Sequence, residues 1–174
     1  MEATEVWTLA SSALVLIMTP GLALFYGGLV RVRSVVNMML FSVSAMGVVG
    51  VLWILFGYSM SVFGDGDGWF AGNPLRDFGL VNTDPGEFIG VGFGAVFAMI
   101  TTALISGAIA DRVGLGSWVL FAGVWATLVY FPVAAWVWGG GWIAQLGTWL
   151  GTPDVIDLAG GDRARDERRR DHRE

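Results

Sequence analysis

The chain contains no cysteine, which excludes disulfides and thiolate metal sites. It contains no lysine either, and all ten basic residues are arginine. The only histidine is His172, close to the C-terminal end, so no apolar stretch offers an imidazole to relay a proton. Nothing reads as a phosphate-cradling glycine loop, a nucleotide fold, a metal box or a catalytic triad. An enzyme is therefore not expected, and no segment points to a cofactor, a metal or nucleic acid. Charge is scarce as well, at 14% of residues against roughly 25% in an ordinary soluble domain. Residues 162–174 (DRARDERRRDHRE) hold eleven of the twenty-five charges, which leaves ten acids and four arginines over the first 161 residues. That is too little to cover a soluble surface. With 55% hydrophobic residues and a mean hydropathy of +0.64, the class is an integral membrane protein.

Long uncharged runs are abundant. They cover Val6–Val30 (25 residues), Ser34–Gly64 (31), Phe88–Ala110 (23) and Val113–Pro153 (41). A helix needs about 20 apolar residues to cross a bilayer, so each run can span once. Gly139-Gly140-Gly141 interrupts the fourth run, and the stretch after it is too short to cross again. The expectation is an all-α protein with four transmembrane helices, over about 5–31, 35–63, 87–111 and 114–138, followed by an outer segment at 139–161. The runs lack the two-residue alternation of barrel strands. Arg31, Arg33 and Arg112 lie in the turns after spans one and three, whereas the 65–87 loop carries Asp65, Asp67, Asp77, Asp84 and Glu87 against Arg76. Counting positive residues places those two turns in the cytoplasm and the N-terminus and acidic loop outside, in a multi-pass protein of the plasma membrane. The N-terminus has no basic region of the kind that opens a cleaved secretory signal. The acidic loop reads either as a solvated connection or as a rim that concentrates cations.

Within span three, Gly86, Gly90, Gly94, Ala98, Thr102, Ser106 and Ala110 recur every fourth residue, and all are small. Helices in lipid associate where small residues let backbones approach, so span three belongs inside a tight bundle. Phe93 and Phe97 are four apart and share a face. They are either a pore constriction or two rings facing lipid or core. In span one, Pro20-Gly21 predicts a kink, placed for packing or beside a cavity. Trp136, Trp138, Trp142 and Trp149 read either as an interfacial aromatic belt or as indole faces offered to a cation at an entrance. Asp157 is either a helix cap or part of a cation site near the membrane boundary.

Five segments in order resemble the ammonium transporter family (ammonium transporters, methylammonium permeases and Rhesus proteins). They are Met18-Thr-Pro-Gly-Leu-Ala-Leu-Phe-Tyr-Gly-Gly-Leu-Val-Arg31, Trp53-Ile-Leu-Phe-Gly-Tyr-Ser59, Phe97-Ala-Met-Ile-Thr-Thr-Ala-Leu-Ile-Ser-Gly-Ala-Ile-Ala-Asp-Arg112, Tyr130-Phe-Pro-Val-Ala-Ala-Trp-Val-Trp-Gly-Gly-Gly141 and Asp157-Leu-Ala-Gly-Gly161. The resemblance implies that the four helices are the first part of an eleven-helix fold built from inverted repeats. It implies a homotrimer in the bilayer and passage of ammonium or ammonia through a pore in each protomer. It makes Trp138 the cation-binding indole and Phe97 its aromatic partner and gate. Phe93 then lines the vestibule one turn outward, and Asp157 is the acid that organises the recruitment site.

The sequence departs from the family pattern at Ala135, where many members have histidine, and at Gly94, where many have glutamine. The larger departure follows Gly161. There the family continues toward its pore histidine, and this chain turns into the charged residues 162–174. The expected organisation is a transporter portion at 1–161 followed by a non-family tail. A truncated or frameshifted transporter that does not conduct alone is one reading of that change. The alternative is a short non-conducting membrane protein that associates with full-length transporters.

Overall fold

The computed structural model describes residues 3–64 and 66–149. Four helices among the described residues are long and apolar enough to cross a membrane, and no strand occurs among them. Such helices suit the bilayer because every backbone N–H and C=O is bonded within the segment. The first, α1 (Ala3–Leu29), passes through Pro20 without interruption, so the proline expected to mark a kink sits inside one continuous helix. α2 (Val35–Leu52) and α4 (Leu115–Trp125) each run into a single widened π turn, Trp53–Gly57 and Ala126–Tyr130 respectively. They resume as Tyr58–Met60 and Phe131–Val137. Between them, α3 (Phe88–Ile105) is entered through a 3₁₀ turn at Pro85–Glu87 and closed by another at Ser106–Ile109. A short helix, α5 (Trp142–Trp149), follows the turn after Val137. The sequence marked this outer segment only as too short to cross.

Small residues make the contacts between helices, as expected for association in lipid. α1 buries a narrow line, Thr19, Ala23 and Gly27, and a Cβ on Gly27 would stand 3.3 Å from Met39. The rest of α1 is largely exposed, including Trp7, Leu14, Ile17 and Leu24. The row of small residues is fully buried at Ala98 and Thr102 in α3 and at Ser106 in the turn that closes it, whereas a Cβ on Gly86, in the turn that enters it, would meet nothing within 4 Å.

Long-range hydrogen bonds fix which ends meet. The Tyr26 hydroxyl donates to the Leu104 carbonyl at 3.1 Å, and the Trp118 indole N–H donates to the Phe41 carbonyl at 2.8 Å. The end of α1, the start of α2, the end of α3 and the start of α4 therefore lie together. This arginine end, which carries Arg31, Arg33 and Arg112, is filled by Met38, Phe41, Ala45, Ala103, Trp118 and Ala122. The opposite, loop end holds the start of α1 and the 61–84 connection. Its core is Val49, Trp53, Val91, Ala98, Ala126, Tyr130, Phe131 and Ala134.

Candidate functional site

The loop end is assembled from aromatic rings laid on glycines. Trp53 opens the wide turn of α2 and is 3% exposed. Its indole N–H donates to the Val91 carbonyl of α3 at 3.0 Å. Its ring lies so close to Gly94 that a Cβ there would stand 2.6 Å away. Phe131, just past the wide turn of α4, covers Gly57 in the same manner, with a Cβ again 2.6 Å from the ring. Trp53 meets Phe131 edge-on at 5.6 Å and Tyr130 at 6.5 Å between centroids. The two wide turns thus face each other across one aromatic cluster, and α3 is gripped from the side of α2.

Phe93 and Phe97 lie on the second and third turns of α3. Their centroids are 4.8 Å apart at 62°, an edge-to-face pair, and both rings are half-buried. Trp138 is the first residue beyond the helical end of α4, where its N–H still donates to the Ala134 carbonyl at 2.8 Å. Its side chain is 39% exposed at the same end of the bundle. The glycines after it are required by space. A Cβ on Gly139 would lie 2.2 Å from the Ser61 carbonyl oxygen, and one on Gly141 would lie 2.5 Å from the Trp136 backbone. Gly140 adopts φ +83°, open to glycine at no steric cost. The Phe63 N–H donates to the Gly139 carbonyl at 3.1 Å, so the triple glycine is also where the chain leaving α2 docks. Trp136 serves this docking, since its indole N–H donates to the Phe70 carbonyl at 2.7 Å. Ala135, one of the departures from the family pattern, is fully buried beneath the turn. Asp157 lies outside the described residues, as do Asp65 and the charged residues 162–174.

Three acids of the connecting loop, Asp67, Asp77 and Glu87, are used by the protein itself. Asp67 Oδ2 accepts from the Gly64 N–H and from Arg76 Nη1, each at 2.7 Å. The Gly64 N–H above all, with the Asn73 backbone and the Arg76 guanidinium, holds the Asp67 carboxyl below its ordinary value of 3.8 against the opposing effect of partial burial. Asp77 accepts from the Asn82 N–H at 2.7 Å and from the Thr83 hydroxyl. Glu87 accepts from the Tyr58 hydroxyl at 3.1 Å. These three carboxylates shape the loop.

Residues 6–163 match the model of the Ammonium Transporter Family. The chain belongs to this family. Ammonium transporters of Mycobacterium bovis and Aquifex aeolicus are 51% and 45% identical to it over 129 and 114 residues, in each case 61% of this chain and 27% of the relative. The crystal structure of Candida albicans Mep2 superposes with a TM-score of 0.72 at 35% identity, over 84% of this chain and 34% of Mep2. Saccharomyces cerevisiae Mep2 gives 0.72 at 31% identity over 83% and 34%. The chain thus spans about a quarter of the length of these curated relatives, and its four helices correspond to the N-terminal part of the transporter fold. The family motif Trp53–Ser59 gains a physical account from the geometry. Trp53 bonds α3, Gly57 carries Phe131, Tyr58 holds Glu87, and the Ser59 hydroxyl donates to the Asn73 carbonyl at 2.6 Å. From the sequence alone that segment carries a family resemblance but no role. Gly94, the other departure from the family pattern, is the seat of the Trp53 ring.

Proposed function

We propose that this chain forms the recruiting side of an ammonium transport path. Trp138 offers its indole face to the incoming cation. Phe97 is the aromatic partner and gate, Phe93 lines the vestibule one turn nearer the loop end, and Asp157 helps organise the recruitment site. The observation that carries the reading is the edge-to-face pair of Phe93 and Phe97 on α3, at the end of the bundle where Trp138 presents a partly exposed indole, in a chain of this family. A cation over an aromatic face gains about 2 kcal/mol or more once desolvated, and a dry apolar constriction turns back hydrated sodium or potassium. The ligand is ammonium or ammonia, and the activity is transport with no chemical conversion.

In this reading the protein crosses the plasma membrane with its N-terminus and loop end outside, and copies assemble as homotrimers. The 174 residues do not conduct by themselves, since a pore needs a wall on every side. The test of recruitment is binding of ¹⁵N-ammonium to the chain in lipid nanodiscs, read by line broadening. Broadening is expected for the wild type and is lost in Trp138→Ala and Phe97→Ala, and sodium does not compete. Equal broadening in all three chains would overturn it. The absence of cysteine makes orientation directly measurable. A cysteine placed at Glu5 is expected to react with an impermeant maleimide on intact cells, and one at Arg33 only after lysis. The reverse pattern would invert the topology.

A further inference from the structure

We infer that Trp53 is the positioning residue of the Phe93–Phe97 pair. The inference rests on the reading of that pair as the gate only for its consequence in transport. The geometry itself concerns where the rings stand. Trp53 touches α3 twice within one turn, through the indole N–H to the Val91 carbonyl at 3.0 Å and through the ring edge on Gly94. These two points bracket Phe93 along the helix, and the second precedes Phe97 by less than one turn. Rotation or sliding of α3 at this level would break the hydrogen bond or drive the Gly94 backbone into the indole. The aromatic pair is therefore set by a residue of α2 that neither ring needs to touch. Trp53 is itself clamped, being 3% exposed and packed against Phe131 at 5.6 Å and Tyr130 at 6.5 Å. Both neighbours sit at the wide turn of α4, so the placement of the pair on α3 is referred to α2 and α4 together.

Trp118 provides a matched comparison. It is another buried indole, donating to the Phe41 carbonyl at 2.8 Å, but at the arginine end. Gly92 provides a second, because a Cβ there meets nothing within 4 Å. The experiment uses the full chain in nanodiscs with ¹³C-labelled phenylalanine, the Phe93 and Phe97 ring signals being assigned from F93L and F97L. In the wild type the two rings give a mutual NOE. Trp53→Phe and Gly94→Ala are expected to shift both ring signals and abolish that NOE, while Trp118→Phe and Gly92→Ala leave them in place. The inference is overturned if Trp53→Phe and Gly94→Ala keep the wild-type signals, or if Trp118→Phe moves them as far. It is equally overturned if Trp53→Phe and Gly94→Ala both lose their helical circular dichroism, which would assign Trp53 to folding alone. These readouts do not depend on ammonium. A failure of the recruiting reading would leave the ring signals unmoved by ammonium yet still displaced by the Trp53 variants.

Discussion

Thr19 and Ser42 bury their hydroxyls almost completely, and neither oxygen has a hydrogen-bond partner among the described residues. A buried hydroxyl without a partner loses its bonds to water and gains nothing in return. Thr19→Val and Ser42→Ala are therefore expected to leave the melting temperature in detergent unchanged or raised, and a loss of about 1 kcal/mol in either would reveal a bonded hydroxyl. The opposite holds for Trp118. Its indole satisfies the Phe41 carbonyl and stacks on the Phe41 ring at 5.6 Å. Trp118→Phe removes that bond, although the Ser44 hydroxyl still donates to the same carbonyl at 3.0 Å, and about 1 kcal/mol of stability should be lost in thermal unfolding. The Phe93–Phe97 contact was legible in the sequence because four-residue spacing on a helix is local information. The attachment of Trp53 to Val91 was not, because it spans 38 positions and nothing in either segment names the other.

Among the elements, the long helices were legible from the uncharged runs alone, but the two wide turns were not. A π turn at Trp53–Gly57 or Ala126–Tyr130 leaves no mark in a segment that is apolar on every side. What betrays it is a glycine under an aromatic ring on another helix. Gly57→Ala is expected to destabilise the chain by about 1–3 kcal/mol through overpacking against Phe131, whereas Gly47→Ala, which meets open space, should be neutral or slightly favourable in the same unfolding measurement. The acidity of the 65–87 loop is legible in the sequence, but its internal bonding is not. Asp67 has a carboxyl lowered from its ordinary 3.8 by the Gly64 N–H first and by Arg76 among others. A group depressed in this way contributes stability that is present above 3.8 and is lost as pH falls through the lower folded value. The Gly64 amide resonance should therefore titrate with a midpoint below 3.8, and a midpoint at or above it would show that the carboxylate is not held as described.

For the whole molecule, hydropathy and the placement of arginines yield four helices running back and forth, because the bilayer permits few alternatives. The order of the motifs supplied the family. What required coordinates was the division of the interior into an arginine end and a loop end, with the aromatic pair and Trp138 at the latter. The four helices correspond to the N-terminal part of the transporter fold, and α1 leaves most of its apolar surface uncovered. The central claim, a recruiting surface that does not by itself conduct, is tested most directly by uptake of radiolabelled methylammonium into cells without ammonium transporters that express these 174 residues. Uptake equal to that of cells carrying the empty vector is predicted, with the chain shown to be present in the membrane. Uptake above that level, abolished by Trp138→Ala, would contradict the account.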